Sequence, residues 1–299
     1  MVGILRMLSR LPYGALHGVA GFAAFVLGQI LGYRKAVVLN NLRRSFPDAD
    51  ESTLRKWHRQ FMRHFADISV ESIKHFTVSR ASAHARMVHK NSEVFQPFFE
   101  SGRSVLIAGG HMNNWELYAL TADAAVPHKT MAIYKRLSNP SMDLAMRESR
   151  ERFGLKMVAT REAKSWVAEH LSDPVAVVMG FDQSPADPKK SWWTEFLNQE
   201  TAWYYGLEQF ARQHDMPVIF GHIRKLKRGW YETEYELVTD APRMLPDGDV
   251  LRRCIRLLEE DIRQAPTEWL WSHKRWKHKR PEGVPLNAQS GHPSKVVGS

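Results

Sequence analysis

The apolar positions of this chain fall into two regimes. From Leu11 to Tyr33 there is no Asp, Glu, Lys or Arg, while Arg6 and Arg10 precede the run and Arg34 and Lys35 follow it. A run of that length reaches across a bilayer core of about 30 Å. It also holds Pro12, His17, Gln29 and five glycines, so a helix lying in one leaflet fits it as well. No small-residue cleavage site follows at Gly32-Tyr33-Arg34-Lys35, and the segment is expected to be retained. Residues 1–35 are therefore predicted to be an N-terminal membrane anchor. Arg34, Lys35, Arg43 and Arg44 give the far side more positive charge than the near side, which orients the body towards the cytoplasm.

The second regime is periodic. After the turn signal Pro47-Asp48-Ala49-Asp50, Leu54, Trp57, Phe61, Phe65, Ile68 and Val70 recur at helical spacing and predict an amphipathic helix over 51–76. Short apolar runs then alternate with helical stretches. Ser104 to Ala108, Lys129 to Tyr134, Leu155 to Ala159 and Val175 to Met179 read as buried strands, with helices near 114–124, 140–152 and 161–171. That order predicts an α/β domain over 36–281 with a mixed, largely parallel sheet flanked by helices, and sites at the carboxyl ends of strands. Pro217 to Arg224 and Trp230 to Thr239 read as paired strands around Lys227-Arg228-Gly229, followed by a helix over 248–264. The Gly-, Pro- and Ser-rich tail, 282–299, is expected to be disordered.

Composition narrows the classes. A single cysteine, Cys254, excludes an internal disulfide framework and reads as a helix-packing residue. Forty-two Lys and Arg against 32 Asp and Glu give a net charge of +10, which favours anionic partners. Lys274, Arg275, Lys277, Lys279 and Arg280, interleaved with Trp271 and Trp276, fit lipid phosphates or the headgroup layer. No zinc spacing or RNA-binding aromatic motif supports a nucleic-acid partner, and His273 and His278 lack a third metal ligand. The aromatic stretch Trp192, Trp193, Phe196, Trp203, Tyr204 and Tyr205 suits an acyl groove and an ordinary core equally.

The chemistry concentrates in Gly109-Gly110-His111-Met112-Asn113-Asn114-Trp115-Glu116. On one helix, residues five apart are about 140° out of phase, so His111 and Glu116 meet only if His111 lies in the loop before the helix that Glu116 enters. Gly109 and Gly110 would let the chain turn tightly there. A helix N-terminus would then keep His111 neutral, Glu116 would accept its other N–H, and free backbone N–H groups would face an oxyanion. The same spacing also fits a capping box with Asn113 as N-cap and Glu116 at the third helical position, so spacing alone leaves both open.

The segment Gly109 to Leu117 resembles the signature of the bacterial lipid A late acyltransferases, the lauroyl- and myristoyltransferases. Further motifs carry the resemblance over nearly the whole chain: Asn40-Asn41-Leu42 with Phe46-Pro47, Tyr134 with Asn139-Pro140, Asp182-Gln183, and Trp271-Ser272-His273-Lys274-Arg275-Trp276-Lys277. It implies a glycerolipid-acyltransferase-like fold at the cell inner membrane. It implies acyl transfer from acyl carrier protein to a hydroxyl of a lipid A precursor, with no metal or cofactor. By the resemblance His111 and Glu116 are the catalytic dyad, and Arg150 and Asp182 lie near the site, with Asn114 a further substrate-binding candidate. Where the family has Tyr-Arg-Pro, this chain has Tyr134-Lys135-Arg136, which makes Lys135 a candidate phosphate ligand. Two other functions remain compatible: acylation of a lysophospholipid or aminolipid, and a non-catalytic scaffold at a membrane surface.

Overall fold

The computed structural model of the protein describes residues 2–170 and 173–288. Its N-terminal part is helical: α1 (Val2–Leu8), α2 (Tyr13–Phe25), α3 (Lys35–Ser45), α4 (Glu51–Lys74) and α5 (Arg80–Arg86). The body follows with β1 (Met87–His89), α6 (Gln96–Glu100), β2 (Val105–Gly109), α7 (Trp115–Thr121), β3 (Lys129–Tyr134), α8 (Pro140–Arg150), β4 (Lys156–Ala159), α9 (Ala163–His170) and β5 (Val175–Gly180). It closes with the hairpin β6 (Trp192–Phe196) and β7 (Gln199–Trp203), then α10 (Gly206–His214), β8 (Val218–Lys227), β9 (Trp230–Thr239) and α11 (Asp249–Gln264).

Seven strands form one sheet in the order β1-β9-β8-β2-β5-β3-β4. Every neighbouring pair is parallel except β8 with β9, which is the hairpin expected around Lys227-Arg228-Gly229. The sheet is covered on both faces, which is why its central strands read as unbroken apolar runs. On β2, Leu106 and Ala108 join a core with α4, α10 and α11, while Val105 and Ile107 join a second core with α7. Cys254 lies in the first of these, packed as a core residue.

The boundary signals of α4 hold. Asp50 caps it by accepting the Thr53 N–H at 2.8 Å, and Leu54, Phe61 and Ile68 lie on its buried face. The structure bears on three further expectations. The apolar N-terminal run is divided: Pro12 precedes α2, and a π-helical turn, Val26–Ile30, follows it. Among the described residues no helix is long and apolar enough to cross a membrane. One face of α2, with Leu16 and Ala20, packs against Ala66 and Val70 of α4. The other face leaves Val19, Phe22 and Phe25 exposed, with Ile30 and Leu31 beyond.

The aromatic stretch after Asp182 is a hairpin whose Trp193, Phe196 and Trp203 are fully buried, so most of it is core. The chain beyond Pro281 stays attached for several residues: the Asn287 N–H donates to the Trp193 carbonyl at 2.8 Å. The rest of the expected tail, 289–299, lies outside the described residues.

Candidate active site

β2 and β5 are parallel neighbours in register from Val105 opposite Ala176 to Gly109 opposite Gly180. Residues equally far beyond two such paired ends emerge side by side at the carboxyl edge of the sheet. His111 lies two residues beyond Gly109, and Asp182 two beyond Gly180. They meet there. The His111 backbone N–H donates to Asp182 Oδ2 at 2.8 Å, and the ring Nδ1 lies 2.5 Å from Oδ1. The indole Nε1–H of Trp269 donates to Asp182 Oδ2 at 2.7 Å. Two glycines make this approach possible. A Cβ on Gly110 would stand 2.4 Å from Cδ1 of the buried Leu258, and one on Gly180 would press the His111 ring at 3.2 Å.

His111 precedes α7 and Glu116 is the second residue of that helix, which is the placement the spacing demanded. The partner differs from expectation. Glu116 is engaged by the fork of Arg150, with Nη2 and Nε donating to its two oxygens at 2.6 and 2.8 Å. Two charge-assisted bonds fix that carboxylate, and Asp182 occupies the hydrogen-bonding position at the His111 ring that had been expected of Glu116.

The electrostatics follow. Burial penalises the Asp182 carboxylate, but the charge and hydrogen bonds of His111 with that of Trp269 outweigh it and hold its pKa well below the usual range. Burial likewise opposes the His111 imidazolium, yet Asp182, with a smaller contribution from Glu116, raises its pKa above the ordinary value of 6.5. This reverses the expected effect of the helix N-terminus, because a seven-residue helix is weaker than a carboxylate in direct contact. Glu116, despite burial, is held low by Arg150.

His111 opens onto a cleft of about 920 Å³. Trp115, Tyr118, Met146, Met157, Val178 and Phe210 give it apolar walls, and Glu116, Arg150, Lys135 and Gln183 supply polar groups. A family model described as a bacterial lipid A biosynthesis acyltransferase matches residues 1–278. The chain belongs to this family. The lipid A biosynthesis lauroyltransferase of Escherichia coli (strain K12) is similar, with 22% identity over 292 residues that cover 95% of this chain and 92% of that protein.

In this acyltransferase the remaining sequence candidates take distinct places. Asn114, not Asn113, caps α7: its Oδ1 accepts the Leu117 N–H at 2.8 Å and its Nδ2 donates to Glu71 at 2.7 Å. It is fully buried, so its amide serves the loop rather than a ligand. Lys135 is exposed at the cleft and has no ion pair among the described residues, whereas Arg136 pairs with Glu162. The basic run near the end is divided. Lys274, Lys277 and Lys279 are exposed and Arg280 pairs with Glu200. Arg275 is 1% exposed, with its guanidinium 4.2 Å from the Trp203 ring centre, which removes it from the expected phosphate ligands.

Three residues of the site were not sequence candidates. Trp269 carries no local motif. Gln183 was visible only as part of Asp182-Gln183. Glu71 is buried on α4 between Val70 and the end of the helix and binds three groups, His17 Nε2 at 2.8 Å, Asn114, and the Tyr231 hydroxyl at 2.8 Å. Carboxylates among the apolar positions of α4, Asp67 and Glu71, are the signal in the sequence for buried polar contacts there.

Proposed function

We propose that this acyltransferase moves a fatty acyl chain from an acyl carrier protein thioester to a hydroxyl of a lipid A precursor, with His111 as the general base. The observation that carries this is the His111–Asp182 pair at the wall of a large, mainly apolar cleft. With Nδ1–H donated to Asp182, Nε2 keeps its lone pair. Nε2 takes the hydroxyl proton as the hydroxyl oxygen attacks the thioester carbonyl. The tetrahedral intermediate collapses to the ester, and the imidazolium returns the proton to the departing thiolate. Asp182 fixes the tautomer, and Glu116 with Arg150 supplies a rigid charged wall beside the ring. Lys135 is the residue best placed to meet a phosphate of the acceptor.

The assay is direct. Purified enzyme, offered acyl carrier protein thioester and a lipid A precursor, is expected to yield the acylated lipid, and His111→Ala to lose at least about 10³-fold in rate. Full activity in that variant sinks the mechanism.

The same proposal includes a seat on the cytoplasmic face of the inner membrane. Arg6 of α1 pairs with Glu148 of α8, and α8 contributes Met146 and Arg150 to the cleft. The exposed Ile4, Met7, Phe22 and Phe25 of α1 and α2 therefore belong to a helical layer attached beside the cleft. Exposed apolar side chains on these helices, with Arg6, Arg10, Arg34 and Lys35 along the same segment, suit entry into the headgroup layer of anionic lipids. Phe22→Glu with Phe25→Glu is expected to lower sedimentation with phosphatidylglycerol vesicles about tenfold or more while leaving the thermal melt unchanged. Undiminished sedimentation removes this face from the membrane contact.

A further inference from the structure

Three of the backbone N–H groups near His111 are committed. Those of His111, Asn113 and Leu117 donate to Asp182, the Glu268 carbonyl and Asn114 respectively. The Nε and Nη2 of Arg150 are held by Glu116. Yet an attack on a thioester places negative charge on the carbonyl oxygen beside the base, and that charge needs a donor. A side-chain donor stands directly over the base. The Gln183 amide nitrogen lies 3.2 Å from His111 Nε2, on the exposed side of the ring.

We propose that Gln183 is a catalytic residue that donates to the oxyanion, an inference that rests on the acyl-transfer reaction proposed above. In the free enzyme its amide N–H donates to the lone pair of Nε2 and occupies the position the acceptor hydroxyl takes. Arrival of the hydroxyl, about 2.6–3.2 Å from Nε2, displaces that amide by one substituent position. The carbonyl oxygen of the attacked carbon is bonded one atom away from the attacking oxygen, so the displaced amide faces it. As the new C–O bond forms, the carbonyl π pair moves onto this oxygen, which receives a Gln183 N–H. Collapse returns the pair to the carbonyl, the C–S bond breaks, and the thiolate takes the proton from Nε2. Gln183 itself gains and loses nothing, so the amide resets over the ring. Its position directly after Asp182 couples the oxyanion donor to the turn that orients the base.

The test compares Gln183→Ala and Gln183→Glu with the unaltered enzyme, using acyl carrier protein thioester and a lipid A precursor above pH 8. Loss of one oxyanion donor predicts that kcat falls about 10²-fold in Gln183→Ala, with both KM values within about threefold. Gln183→Glu cannot donate and sets a negative charge against the oxyanion, so it is expected to be slower than Gln183→Ala. Its carboxylate beside Nε2 should also move the acidic limb of the rate profile to higher pH. A kcat for Gln183→Ala within threefold of the unaltered enzyme overturns the role, as does Gln183→Glu equalling or exceeding it. A change confined to KM assigns Gln183 to substrate binding and likewise overturns it. Unaltered enzyme that transfers no acyl group from the thioester overturns the reaction itself, and the role falls with it.

Discussion

Asp182→Asn is expected to reduce acyl transfer about 10³-fold or more, and Glu116→Gln by no more than about 10²-fold. The asymmetry comes from what each carboxylate touches. Asp182 receives the His111 ring, the His111 backbone N–H and the Trp269 indole. An asparagine there can turn its NH2 towards Nδ1, which moves the ring proton to Nε2 and abolishes the lone pair that takes the hydroxyl proton. Glutamine at 116 keeps one oxygen for the Arg150 fork and leaves the His111 tautomer alone.

The pH profile separates this from general damage to the fold. As the proposed general base, His111 must be neutral for transfer, and its pKa is raised above 6.5, so the rate should fall as pH drops through that elevated value. Removing the charge of Asp182 leaves burial as the leading influence, and the acidic limb should move to lower pH. In the proposed mechanism Asp182 is thus a positioning residue, and its loss should change both the height and the place of the profile. If Glu116→Gln proves the more damaging and it alone moves the limb, the base is oriented by Glu116 and the pairing argued here is wrong.

Much of this fold is written in local pattern. The runs at Val105, Lys129 and Val175 are apolar on both faces because helices cover both sides of the sheet, and their termini match the observed strands within a residue or two. The hairpin of β6 and β7 escaped for an identifiable reason. Its turn is Leu197-Asn198, both at positive φ, 49° and 61°. Asn is at home in such a turn, but Leu carries no turn signal, so the neighbouring aromatics suited an acyl groove and an ordinary core equally.

The site was legible to a different depth. The loop placement of His111 followed from helical geometry, because five residues on one helix cannot bring His111 and Glu116 together. Asp182 was implied by the resemblance, but its direct contact with His111 depends on the register Gly109–Gly180, which no local pattern states. The partner of Glu116 had the same obstacle: Arg150 ends α8, an element away, and only the packing of α8 on α7 joins them. Of the two readings of the N-terminal run, the span finds no helix long and apolar enough among the described residues, and hydropathy alone reports neither the division at Pro12 and the π-helical turn nor the use of one face of α2 against α4.

Acidification should unfold this protein well before its carboxylates titrate, because several histidines are buried in the neutral form. His64 is held at about 3, and His75, His89 and His273 at about 4, in each case chiefly by burial. Contacts explain why two of these rings resist protonation: His64 Nδ1 accepts from the Lys225 ammonium, and His273 Nε2 accepts the Ser184 N–H. The unfolded chain takes these protons near pH 6.5, whereas the native state refuses them until about 3 to 4. The stability they contribute is therefore complete above 6.5 and is lost as pH falls towards the native values. A difference of about 2.5 units corresponds to about 3 kcal/mol per ring at pH 4, so four such rings rival the ~5–15 kcal/mol of a whole domain. His111 and His222, whose native pKa values are raised, act in the opposite sense and remove only part of this loss. Urea midpoints measured at pH 7, 5.5 and 4.5 should fall steeply, and His64→Gln, which cannot titrate, should flatten the slope even if it lowers the midpoint at pH 7. A midpoint constant across that range means these rings are protonated in the native state, and that the interior beneath the sheet is wetter than its packing implies.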